Sequence, residues 1–155
     1  MEFERQTPVV RILTEGDLDA LLILYPHLHP NDAPLPARAD VERVWRAALT
    51  QPGSRYYGTF DGSLLVAACA VIVIPNLTRG CRPYAVIENV VTHGDYRRQG
   101  KGRAVMTAAM DFAWSQQCYK ILLLTGRKDD AVSRFYQSLG FDREGKIGFV
   151  ATPAT

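Results

Sequence analysis

The sequence predicts a mixed α/β fold, and three observations carry that expectation. Two apolar, β-branched runs, "LLVAACAVIVI" (residues 64–74) and "YAVIENVVT" (84–92), have the length and composition of buried strands. Segments with apolar residues three and four apart stand before and after them, the spacing of one helical face. The chain of 155 residues is long enough to bury a sizeable core within one domain. A single domain over 1–155 is expected, without internal repeats or a long linker.

Taken in order, "VVRIL" opens as a short strand. "TEGDLDALLILYPHL" follows as a helix with Thr14 at its cap and Leu18, Leu21, Leu22 and Tyr25 on one stripe. Pro26 and Pro30 end it, and the proline-rich "HPNDAPLPARAD" leads to a second helix, "DVERVWRAALTQ", with Asp40 as its cap. "RYYGTF" and the 64–74 run flank Asp61-Gly62, a hairpin signal because glycine takes the positive φ such a turn needs. The longer run reads as a central strand covered on both faces. After 84–92 comes "GRAVMTAAMDFAWSQQ", a helix with Val105, Ala109 and Phe112 on one stripe. "KILLLT" is a further buried strand, "DDAVSRFYQSLG" a helix closed by Gly140, and "KIGFVA" a final edge strand.

Composition narrows the function classes. Apolar residues make up 47% and charged residues 22%, proportions of a globular protein, and the longest apolar run is too short to cross a bilayer. "MEFERQTPVV" lacks the basic start and apolar stretch of a secretion signal, so a cytoplasmic protein with no membrane association is expected. Cys69, Cys81 and Cys118 form no CxxC pair and no even framework, and read as reduced, packed thiols. The net charge of +2 is too small for a dedicated nucleic-acid binder. His27 and His29 have no third ligand of standing, so no metal is expected, and His93 reads as a solvated turn residue. Trp45 and Trp114 fall on helical faces and read as packing.

The charge is local. Arg97, Arg98, Lys101 and Arg103 crowd one turn between a strand and a helix, together with Gly100 and Gly102. A helix start presents unpaired N–H groups and partial positive charge. Glycines there let an anion approach the main chain. A phosphate or pyrophosphate fits such a turn; the plain alternative is a solvated basic face. The turn is not a Walker loop, and Val105 stands where the dinucleotide motif GxGxxG needs its third glycine.

"RRQGKG" (97–102) resembles the Q/R-x-x-G-x-G/A pyrophosphate motif of the GNAT superfamily of acyl-CoA-dependent N-acyltransferases. "DDAVSRFYQSLGF" (129–141) is similar to that family's late helix. The resemblance covers roughly residues 56–150. It implies a mixed, mostly antiparallel sheet of six to seven strands flanked by about four helices, the fourth and fifth strands splaying apart to admit acetyl-CoA. It further implies pantetheine contacts from the backbone of Val90, Val91 and Thr92. Pyrophosphate contacts are implied around Arg97, Arg98, Gln99, Gly100, Lys101, Gly102 and Arg103. Asp129 is implied as a further coenzyme contact; it stands where the family often has Asn, and can accept a hydrogen bond from the pantetheine but cannot donate the amide N–H.

The implied reaction is acetyl transfer to the primary amine of a small molecule, by direct attack in a ternary complex. At neutral pH roughly one alkylamine in a thousand is unprotonated, so a base is needed. Glu88 is the sole acid in its strand and, by simple alternation, shares a face with Val90; the alternative is a structural carboxylate satisfied by a neighbouring Arg or Tyr. A backbone N–H near Val90 or Val91 is the expected donor to the acyl oxygen. Tyr136 occupies the family's position for an acid toward the departing thiolate, or else is a half-buried core tyrosine that also touches the coenzyme. Arg79 and Arg82 are candidates for an acidic group on the substrate. Rival readings are an inactive acyl-CoA-binding sensor of the same fold and, further off, a nucleic-acid patch. A homodimer fits the family and the expected edge strand.

Overall fold

The computed structural model describes residues 7–154, which divide into two compact units, 7–122 and 123–154. The first holds a five-stranded sheet in the order β1-β2-β3-β4-β5: Val10–Ile12, Ser54–Asp61, Leu64–Ile74, Tyr84–Thr92 and Ile121–Leu122. All neighbours run antiparallel except β4 and β5, which are parallel. The mixed, mostly antiparallel sheet is as expected, with fewer strands than the resemblance implied.

Helices α1 (Leu18–Leu24) and α2 (Arg38–Thr50) cover one sheet face, and α4 (Lys101–Ser115) covers the other. The one-turn α3 (Thr78–Cys81) lies between β3 and β4. On the first face Leu13, Leu18, Leu21, Leu24 and Trp45 pack with Leu65, Ala68 and Val91. On the second, Val105, Met106, Ala109 and Ala113 are fully buried, and the Cys69 thiol reaches the Val105 carbonyl at 3.4 Å. β3 is thus covered on both faces, and every residue from Leu65 to Val71 is buried. Gly62 takes φ +59 in the β2–β3 turn.

Several elements differ from the reading of the sequence. α2 starts at Arg38 rather than at an Asp40 cap, which places Asp40 in the first turn, where the helix dipole still favours an acid. The first helix begins as a 3₁₀ turn (Glu15–Asp17). There the Asp17 carboxylate accepts the Thr14 N–H at 2.7 Å and a two-pronged Arg11 guanidinium at 2.7 and 2.8 Å. Cys81 and Trp114 are exposed rather than packed. Among the described residues no helix is long and apolar enough to cross a membrane.

The second unit contains α5 (Asp130–Ser138), with Asp129 as its cap and Gly140 at φ +96 just beyond it. The expected strand at "KIGFVA" does not form. Ile147, Phe149 and Val150 are largely exposed, and Gly148 interrupts the run with a residue that weakens strands.

Candidate active site

β4 changes character along its length. Ala85 and Val86 pair with Ile121 and Leu122 of β5, and the ladder stops there. From Ile87 to Thr92 the strand has β3 on one side only among the described residues, leaving a stretch of main-chain edge open to an extended ligand.

Within that stretch the β3–β4 register slips. Ala68 faces Val91 but Ala70 faces Glu88, so Asn89 and Val90 together oppose Cys69. The extra residue is a β-bulge, and Asn89 takes φ +52, a left-handed conformation that Asn tolerates better than most residues. Simple alternation therefore fails here. Glu88 lies on the α1/α2 face in register with Ala70, the same face as Val91, rather than being paired with Val90. Tyr56 of β2 also faces Ala70, so Tyr56, Ala70 and Glu88 form a row across three strands.

Glu88 is exposed and makes no side-chain hydrogen bond or ion pair among the described residues, so the satisfied structural carboxylate finds no partner there. Beside it, burial pushes the Tyr25 phenol well above its ordinary range, with Tyr56 adding to the rise and the Asn89 side chain opposing it. The sequence reading placed Tyr25 only on an apolar helical stripe and gave neither it nor Asn89 a part in the site. The available signal was an Asn, a poor strand former, inside a β-branched run.

Beyond Thr92 the chain turns through 93–100 into α4. Arg98 (φ +61) and Gly100 (φ +78) are both left-handed. No side chain caps α4, and its first helical bond runs from the Ala104 N–H to the Gly100 carbonyl, so the amides of Lys101, Gly102 and Arg103 precede the ladder. A side chain added at Gly100 would meet nothing within 4 Å. An uncapped helix start, open space at Gly100 and the exposed Arg98 nearby fit a diphosphate. Arg97 is committed to the main chain, with Nη2 on the His27 carbonyl at 3.3 Å and Nε near the Thr92 carbonyl at 3.4 Å. Gln99 donates its amide to the Asp95 carbonyl at 3.1 Å.

At the opposite end of β4, Arg82 donates to the carbonyls of Gln117 and Cys118, both at 3.2 Å, and so ties down the loop after α4. Arg79, left-handed at φ +57, lies 5.7 Å over the Tyr119 ring. Both precede the first residue of β4, Tyr84, and Glu88 stands four residues into that strand, about 13 Å at 3.3 Å per residue.

In the second unit Asp129 accepts the Val132 N–H at 3.0 Å and the Arg127 guanidinium at 3.1 Å. The Val132 amide and then Arg127 hold its carboxyl below the usual range. Tyr136 is half-buried between the rings of Phe135 (5.1 Å) and Phe141 (6.1 Å). Among the described residues no group of three or more His, Cys, Asp or Glu could hold a metal.

Comparison with known proteins agrees with this geometry. Residues 19–141 match the model of the acetyltransferase (GNAT) family. A curated relative, glucosamine 6-phosphate N-acetyltransferase from Trypanosoma brucei brucei, is 32% identical over 142 residues, covering 85% of this chain and 87% of its own. A solved structure from Agrobacterium tumefaciens str. C58, described as a putative acetyltransferase, is 42% identical with a TM-score of 0.87, covering 94% of this chain and 99% of that one. An acetyltransferase structure from Trypanosoma brucei is 25% identical with a TM-score of 0.79, covering 94% and 100%. The sheet, the open half of β4, the uncapped turn before α4 and these matches agree: the chain belongs to the GNAT acetyltransferase family.

Proposed function

We propose that this protein is an N-acetyltransferase that moves the acetyl group of acetyl-CoA onto the primary amine of a small molecule within a ternary complex. The observation that carries the reading is a strand edge from Ile87 to Thr92 that has no partner among the described residues and leads, through the 93–100 turn, into an uncapped helix start. The backbone of Val90, Val91 and Thr92 would hold the pantetheine arm as an added strand. The turn from Arg98 to Arg103 would hold the diphosphate. Bound acetyl-CoA supplies an acyl thioester, already activated toward an amine.

Glu88, exposed and without a partner, takes the amine's proton directly or through a water. An N–H of the bulged strand near Val90 or Val91 donates to the acyl oxygen. On the resemblance alone, Tyr136 gives a proton to the departing sulfur. The Arg82 guanidinium already serves two carbonyls, which supports a tethering role rather than substrate recognition, while Arg79 keeps the acceptor assignment open to test.

The relative's substrate puts amino-sugar phosphates at the head of the acceptor panel, with amino acids, polyamines and aminoglycosides beside them. The decisive assay follows free thiol released from acetyl-CoA across that panel. Turnover with one amine class supports the enzyme; coenzyme binding without turnover on any amine would leave an acyl-CoA sensor.

A further inference from the structure

Two imidazoles lie beside the coenzyme turn and have no part in the transfer described above. His27 ends the 3₁₀ turn Tyr25–His27 that follows α1, and His93 follows β4. Their rings stack with centroids 3.9 Å apart and planes at 36°. Nδ1 of His27 accepts the Gly94 N–H at 3.0 Å, and Nδ1 of His93 accepts the Asp95 N–H at 3.2 Å. Each Nδ1 is therefore unprotonated, and each neutral ring carries its proton on Nε2.

The same turn is held from other sides. Arg97 bridges the His27 and Thr92 carbonyls, and Tyr96 stands edge-on to His93 at 5.4 Å while its hydroxyl donates to Asp61 at 2.6 Å. The turn's own backbone bond, Tyr96 N–H to His93 carbonyl at 2.9 Å, fixes only its first residues. Two bonds to His27 span the most sequence, Gly94 N–H to its Nδ1 across 67 residues and Arg97 to its carbonyl across 70, and they join the turn that ends α1 to the segment that leads into α4; of the two, only the Gly94 bond depends on the His27 side chain.

We propose that His27 is a positioning residue for the coenzyme: as a neutral acceptor for Gly94 it holds the 94–100 turn in the form that presents the α4 amides. The inference rests on the coenzyme reading above. Its chemical signature is a dependence on pH. A protonated His27 has no acceptor for Gly94, turns an N–H toward an N–H, and sets a cation against His93 and Arg97. Burial first, then His93 and Arg97, lower the His27 pKa, with Asp95 pulling weakly the other way. The folded value lies below the ordinary 6.5. The clamp is therefore whole above that pH and is lost as pH falls through the lower folded value.

The test is calorimetric titration of coenzyme A into wild type, His27→Ala and His27→Asn at pH 7.5 and 5.5. The Asn amide oxygen can accept from Gly94 but does not titrate. At the higher pH, His27→Ala should bind about tenfold more weakly than wild type, and His27→Asn within about threefold of it, the range of one hydrogen bond. On going to the lower pH, wild type should lose more affinity than His27→Asn, by a factor that grows as the pH is taken further down. The coenzyme's own titration is common to both proteins, so the difference belongs to His27. Parallel pH profiles for the two, undiminished binding by His27→Ala, or wild-type affinity that rises at low pH would each overturn the proposal. Absence of heat with wild type at pH 7.5 would instead sink the coenzyme reading. The clamp is then read from Gly94 amide exchange in the free protein, which should be about tenfold faster in His27→Ala; an unchanged rate overturns it.

Discussion

Ala85–Val86 and Ile87–Thr92 are consecutive pieces of one strand, yet among the described residues the first has strands on both sides and the second on one. Where β3 and β5 bracket it, β4 is regular, and Arg82 just before it fastens the chain to the end of α4. Where β5 has gone, the strand carries a bulge, a left-handed Asn and an exposed acid. The contrast teaches that a strand's chemistry is set by what is missing beside it. An amide without a neighbour is available to a ligand, and a register slip re-aims the side chains next to it.

The comparison can be broken hardest at Glu88. Glu88→Gln should lower kcat by about a hundredfold or more, the usual worth of a general base. The thermal midpoint should hardly move, since the side chain has no partner to lose. Steady-state rates and a melting curve on one preparation check both; an unaltered kcat would take the base away from β4.

Gly100→Val tests the far end of the open half. A β-branched residue at φ +78 strains the backbone by about 1–2 kcal/mol, while the free space around it adds no clash in the folded protein. Coenzyme affinity should fall about tenfold or more, because an added side chain would stand where the diphosphate is proposed to lie. Calorimetry alongside denaturant unfolding separates strain from lost binding.

Asp17 serves as a control remote from β4. Asp17→Ala should cost about 2 kcal/mol of stability by stranding Arg11 and the Thr14 N–H, with substrate KM unchanged. The Arg11 guanidinium, helped by the Thr14 amide and opposed by burial, lowers the Asp17 pKa from 3.8 to about 2. That contribution is whole above pH 3.8 and is lost as pH falls through about 2, which acid unfolding of wild type against the variant will show.

The smallest effect is expected in the closed half. Arg82→Ala should cost about 1 kcal/mol through two hydrogen bonds, one exposed and one part-buried, and leave acceptor KM within about twofold. A KM increase confined to acidic amines, in this variant or in Arg79→Ala, would return these arginines to the acceptor site.

Much of this was legible in the residues. Unbroken apolar, β-branched runs marked β3 and β4, apolar residues three and four apart marked α4 and α5, and glycines between cations marked the turn before α4. Three things were not legible. A bulge adds one residue without altering composition, so alternation assigned Glu88 to the face of Val90. The His27–His93 stack joins residues far apart in sequence, and no local pattern announces it. "KIGFVA" has strand-like alternation but, among the described residues, no neighbour to pair with, and pairing rather than propensity makes a strand.

The bulge at Asn89 carries a last consequence. Deleting one of the two residues that oppose Cys69 would straighten the ladder while Glu88 stayed opposite Ala70 and Val91 opposite Ala68, so both would keep their face. What a graft shortened at Asn89 would lose is the left-handed residue and the bend it puts into the strand, so the heading of the exposed main chain, not the facing of its side chains, is what the extra residue secures.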